Sequence, residues 1–188
     1  MAPVPEISSL GERAHVVVTG RLSSTMELPF QEKGMAMKGL QCLEELIDVH
    51  NTGVRCKSGR VPMFPRPNQD DYFYLQTGDS LRVCGVFDGH GADGHVAAAV
   101  ARDFLLRLLL NDLPSERPKS ATTYAGHMHA MFVDAFEKAH RHIVESPSID
   151  ANLSGVTACI LIKDIKRRRL AVAWTGNCRC CLAERREV

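Results

Sequence analysis

Between residues 81 and 112 the chain changes character twice. "LRVCGVF", Leu81 to Phe87, reads as a β-strand. "GHVAAAVARDFLLRLLLNDL" then reads as a helix, with Val96, Ala97, Val100, Ala101, Phe104, Leu105 and Leu108 forming one wide apolar stripe. The junction "VFDGHGADGH" holds two carboxylates, two imidazoles and three glycines in ten residues. A strand delivering its chain through so short a segment into a long amphipathic helix restricts the fold to one where that helix lies on the strand's own sheet.

The remaining segments fit the same layering. "YFYLQ", Tyr72 to Gln76, is a second strand, and "TGDS" after it is turn chemistry, so the two strands read as a hairpin. A second helix is expected from about Thr122 to Glu145, with Met128, Met131, Phe132, Ala135, Phe136, Ala139 and Ile143 on its buried side. Three strands should follow: "VTACILI", then "LAVAWT" after the basic turn "KDIKRRR", then "CRCCLA". Trp174 is expected in the core. The order gives an α+β fold with helices on an antiparallel sheet. Upstream, "HVVVTGRL" suits a strand and "GLQCLEELIDVH" has Leu40, Leu43, Leu46 and Ile47 at helical spacing. "NTGVRCKSGRVPMFPRPNQDD" reads as an extended loop. Residues 1–50 are expected to be an N-terminal extension, and 51–188 the main domain.

Composition narrows the class. In 188 residues, 45% are hydrophobic and 24% charged, and the formal net charge is +1. That near-neutrality argues against nucleic acid and against an acidic membrane surface as partners. There is no membrane-length apolar run, and with no basic-then-apolar stretch at residues 1–10 and alanine at position 2, neither a secretory signal nor N-myristoylation is expected. The seven cysteines, Cys42, Cys56, Cys84, Cys159, Cys178, Cys180 and Cys181, are odd in number and irregular in spacing. Reduced thiols in a cytoplasmic or nuclear protein are the expectation.

The junction carries the chemistry. Asp88, at the end of a strand, is placed to bind a hard cation, with the Gly89 carbonyl as a second oxygen ligand. His90 is next to it and suits a proton donor. Gly91, Ala92 and Asp93 lead into a helix N-terminus, which favours phosphate. Together these suggest metal-assisted hydrolysis of a phosphate ester. The same four residues "DGHG" also suit a plain strand-to-helix turn, and this stretch alone leaves both readings open.

Other motifs tip the balance. "PNQDD" precedes the first strand of the hairpin, "VFDGHGADGHV" ends the second, "SGVTA" opens the next strand and "GNCR" follows the one after. In that order and on those elements they resemble the metal-dependent protein serine/threonine phosphatases of type 2C, over about residues 53 to 185. The lead-in to "PNQDD" resembles the branch of that family with a KGxKP segment. The resemblance implies a layered α-β-β-α sandwich of antiparallel sheets flanked by helices, and dephosphorylation of phosphorylated protein substrates by a metal-activated water. It implies a pair of Mg²⁺ or Mn²⁺ ions bridged by Asp88, with the Gly89 carbonyl on one of them. Gln69 stands where many members have a glutamate near the second metal, and Asp70 would hold metal-bound water. His90 would be the general acid. A basic residue upstream of NQD would hold the phosphate: Lys57, with Arg60 and Arg66 as rivals.

Two departures stand out. The family's GDSR is Gly176-Asn177-Cys178-Arg179 here, which keeps size and loses a charge. The family's fold also continues beyond a fifth strand to two further metal-binding aspartates, while this sequence ends at Val188. The expectation is therefore a fold incomplete at its C-terminus. It is either part of an active phosphatase or a truncated, catalytically inactive relative that binds phosphoproteins or regulates. Other features have plainer readings. "CRCC" with Cys159 offers only one knuckle of a zinc site and reads as strand thiols. His127 with His129, and His140 with His142, lie two apart on a helix and point away from each other. His95 suits packing or a local hydrogen bond. "KDIKRRR" suits a solvated turn better than a nuclear-localisation patch.

Overall fold

The hairpin expected around "TGDS" forms, and the rest of the sheet grows from it. A computed structural model describes residues 14–19, 35–37, 56, 67–77, 80–112 and 121–184. Within them the element order is β1 (Ala14–Thr19), β2 (Met35–Met37), β3 (Asp70–Thr77), β4 (Leu81–His90), α1 (Gly94–Asp112), α2 (Ala121–Val144), β5 (Gly155–Asp164) and β6 (Arg169–Thr175). The six strands make one sheet in the order β2-β1-β3-β4-β5-β6, every pair antiparallel. Strands and helices coexist in one layered unit, an α+β fold. The strand read in "HVVVTGRL" is β1, which pairs with β3. The helical spacing of Leu40 to Ile47, and most of the loop read at residues 51–66, lie outside the described residues.

The period-2 alternation of β4 decides which face the helices cover. Leu81, Val83 and Phe87 point inward and are buried, while Val86, Asp88 and His90 point outward and are exposed. Phe73 and Leu75 of β3, and Ile160 and Ile162 of β5, share the inward face. Burying each such side chain contributes roughly 1.5–3 kcal/mol. Against this face lies α1, in contact with β3, β4 and β5. Its Ala97, Ala98 and Ala101 are fully buried, small enough to bring the helix close, and Leu105 and Leu109 fill the remaining depth. The buried residues of α2 are the expected Met128, Met131, Phe132, Ala135, Ala139 and Ile143 together with Tyr124, and Phe136 is half-buried. The α2 helix packs mainly on α1 and reaches β6 at the edge.

One polar pair sits inside this layer. Asp71 alternates in phase with Phe73 and Leu75, so its carboxylate is carried inward and is fully buried. Arg102 of α1 meets it, Nη1 to Oδ2 at 2.7 Å, while Arg102 Nε donates to Asp103 at 2.9 Å. The second Asp71 oxygen accepts the Tyr72 amide at 2.8 Å. Burial works against the Arg102 charge, but the Asp103 hydrogen bond and the Asp71 charge outweigh it and raise its pKa.

Three expectations are corrected. The second strand of the hairpin does not stop at Phe87 but runs to His90, because β5 pairs with it along its full length. "CRCCLA" is not a fifth strand: Gly176, at φ 81°, turns the chain away from the β6 edge, and residues 178–184 have no ladder partner. Trp174 is not core. It lies on the face of β6 opposite the helices and is 61% exposed.

Removing one partner of a buried ion pair strands the other charge. Arg102→Met should therefore lower the unfolding free energy by about 3–5 kcal/mol, and the double variant Asp71→Leu/Arg102→Met should recover most of that loss. Urea titrations followed by circular dichroism measure both.

Candidate metal-binding carboxylate site

The β3–β4 register sets Asp70 directly opposite Asp88. Opposite residues share a face, so both carboxylates stand on the outer side of the sheet, and both are exposed. Their Cα atoms are therefore only about 4.5–5.5 Å apart. Like charges directly opposite are unfavourable in themselves and become favourable around a cation. On the other side of Asp88, β5 places Thr157 opposite it. His90 is two residues further along the same face and is exposed, opposite Gly155. A Cβ added to Gly155 would lie 2.9 Å from His90 Nε2. The imidazole therefore rests over the one position of β5 with no side chain.

The other motif residues hold this strand end rather than line it. Gln69 brackets the junction: its carbonyl accepts the Gly89 amide at 3.2 Å, and its side-chain amide donates to the Gly91 carbonyl. A Cβ on Gly89 would collide with the carbonyl oxygens of Gly94 and Gln69. Gly91, at φ 85°, faces the Leu153 carbonyl. These glycines admit the chain's own backbone, a tighter demand than room for a ligand. Asp93 caps α1 with its carbonyl, which accepts the amides of Val96 and Ala97 at 2.9 Å each. Its amide donates to Ser154 Oγ at 2.9 Å and its carboxylate accepts the Asp150 amide at 3.0 Å. Cys178 Sγ lies 2.8 Å from Thr157 Oγ1. Asn177 beside it is exposed. So "NQD", "DGHG", "SGVTA" and "GNCR", far apart in the chain, meet at one end of the sheet.

Of the residues singled out by sequence, Asp70, Asp88 and His90 are brought together on one face, with Gly89 inside the same strand end. Gln69 is adjacent, with its side-chain amide engaged by Gly91. Lys57, Arg60 and Arg66 lie outside the described residues. Two exposed carboxylates and nearby backbone oxygen fit a hard divalent cation in donor type. Among the described residues, no group of three or more His, Cys, Asp or Glu is arranged to hold a metal ion.

Sequence reading passed over Asp71, Arg102 and Thr157. The signal for Asp71 was present: in "DDYFYL" the second aspartate has the phase of Phe73 and Leu75. For Arg102 and Thr157 no local signal exists, since their partners are 31 and 21 residues away.

Comparison with known proteins agrees with this meeting of motifs. A rice (Oryza sativa subsp. japonica) protein named "Probable protein phosphatase 2C 64" is 38% identical over 82 residues, 43% of this chain and 18% of that protein. Rice "Probable protein phosphatase 2C 14" is 29% identical over 130 residues, 54% of this chain and 25% of the relative. "Probable protein phosphatase 2C 1" of Arabidopsis thaliana is 31% identical over 106 residues, 44% and 23% respectively. Part of the chain is related to type 2C protein phosphatases. It spans between 18% and 25% of the length of these curated relatives. No family model and no solved structure matches.

Type 2C kinship does not relax the local packing. Gly89→Ala should lower stability by about 1–3 kcal/mol, because backbone on two sides must move. Gly155→Ala should leave stability within about 1 kcal/mol of the parent, since the imaged contact is a side-chain tip, while shifting the His90 ring. Urea unfolding and the His90 imidazole resonances in NMR spectra distinguish the two effects.

Proposed function

We propose that this chain carries the N-terminal part of a metal-dependent protein serine/threonine phosphatase site, acting on phosphorylated proteins. The observation that supports it most is the cross-strand pair Asp70 and Asp88, with His90 on the same face two residues on. Asp88, Asp70 and backbone oxygen at Gly89 would hold Mg²⁺ or Mn²⁺, with Gln69 steadying the strand end. Such cations lower the pKa of water and stabilise the oxygens of an in-line displacement. His90 would give a proton to the departing serine or threonine oxygen. Lys57, Arg60 or Arg66 would bind the phosphate. The complete fold in this reading is the layered sandwich, a second sheet lying over the outer face, and the setting is the cytoplasm or nucleus. No helix among the described residues is long and apolar enough to cross a membrane.

A second reading has a specific observation behind it. The described residues offer two carboxylates and no larger cluster, which favours a non-catalytic module that binds phosphoproteins. The two readings separate on turnover.

With saturating Mn²⁺, the chain should hydrolyse a phosphothreonine peptide, and Asp88→Asn should reduce the rate at least 100-fold. His90→Gln should lose about 10²–10⁴-fold on that peptide but much less on p-nitrophenyl phosphate, whose leaving group needs no proton. If neither parent nor variant turns over while Mn²⁺ binding still weakens in Asp88→Asn, the non-catalytic reading stands. Unchanged Mn²⁺ binding in Asp88→Asn rejects the site.

A further inference from the structure

Beyond Gly176 the chain turns back across the outer face of the sheet. Cys178 meets Thr157 of β5 side chain to side chain, 2.8 Å apart. From there a groove runs toward the β5–β6 turn, walled on the sheet by Leu161, Lys163 and Val172 and on the other side by residues Cys178 to Leu182. The tail therefore travels alongside β5 in the direction from Thr157 to Lys163. Side chains on one face of extended chain recur every second residue, about 6.6 Å apart. The step that carries Thr157 to Cys159 on the strand thus carries Cys178 to Cys180 on the tail. Cys159 is on the outer face of β5, in phase with Thr157, and is buried, whereas Cys180 is exposed.

Electrostatics place the same groups together. Burial pushes the Cys159 thiol up, and Cys180 and then Cys178 push it further. Cys84, on the neighbouring strand, is raised by burial first, with Cys180 adding to it. Cys84 stands opposite Leu161, on the far side of β5 from β6, whereas Cys159 is on β5 itself, two residues from Thr157. Cys181, one residue beyond Cys180, also lines the groove, so the test must separate the two.

We propose that Cys159 and Cys180 form a disulfide on oxidation, fastening residues 178–184 to the outer face of the sheet. The tip-to-tip contact of Thr157 and Cys178 sets a spacing between tail and strand that a disulfide can span. Hydrogen peroxide is the oxidant class. The exposed Cys180 thiol attacks it, the O–O bond breaks, and Cys180 becomes a sulfenic acid with release of one water. The Cys159 sulfur then displaces the hydroxyl from Cys180, the S–S bond forms, and a second water leaves. The two thiol protons and two electrons pass to the peroxide, which balances the step. The bond would fix the segment that holds Thr157, the residue opposite Asp88. The assignment stands apart from the phosphatase reading.

Peptide mapping tests it on the full chain. Protein treated with hydrogen peroxide is blocked with N-ethylmaleimide under denaturing conditions, digested with trypsin without reductant, and analysed by mass spectrometry. The expected product joins residues 142–163 to residues 180–185, two hydrogens lighter than their sum apart from the one N-ethylmaleimide carried by Cys181, and is released by dithiothreitol. It should persist in Cys181→Ser and vanish in Cys180→Ser. Because Cys180 is exposed, that variant should keep the parent's circular dichroism spectrum. A link from 180–185 to residues 83–102 or 170–179, a link between two chains, or Cys159 fully blocked by N-ethylmaleimide would each overturn the assignment.

Discussion

Everything functional at this strand end follows from the register of β4 between β3 and β5. Ten residues of β4 pair with β5 and eight with β3. That double pairing leaves the strand no freedom to slide. A slip by one residue would send Phe87 into solvent and Asp88 into the alanine-lined face of α1. The hydrophobic demand of Leu81, Val83 and Phe87 therefore also fixes where Asp88 and His90 stand. Packing on one face orders chemistry on the other.

The two aspartates of "NQDD" show how alternation divides labour. Asp70 points out, opposite Asp88, and Asp71 points in, to Arg102. Adjacent in sequence and identical in chemistry, they belong to different environments because a strand reverses face at each residue. Asp71 ties the start of β3 to α1, and α1 begins at the junction that Gln69, Gly89 and Ser154 hold. The buried pair thus ties together a strand and a helix that both begin beside the exposed one.

The outer face of the sheet is unlike the inner one. Val86, Leu170 and Trp174 are exposed on it, and the tail after Gly176 covers part of the β5–β6 region. Alternating strands in an antiparallel sheet with helices on one side leave the other side to be met by something else. The thiols at Cys84, Cys159, Cys178 and Cys180 gather on this side because β4 and β5 present theirs outward and the tail, with Cys178 against Thr157, lies over that face.

The elements themselves were legible in the sequence. Helical periodicity located α1 and α2 and named the buried side of α2 almost residue by residue, because a stripe every 3.6 residues survives whatever the helix packs on. The hairpin was legible from its turn, Asp88 and His90 were singled out by the strand-to-helix junction, and Asp70 by the family resemblance that four motifs in order carry. What tertiary structure alone decided was the meaning of residues whose partners are distant. The length of β4 depended on β5, the exposure of Trp174 on β6 having helices on only one side, and the loss of the expected last strand on the turn at Gly176. Asp71 with Arg102, and Thr157 with Cys178, have no local signature. Their energies come from contacts across the fold, and a linear pattern records periodicity, not partners.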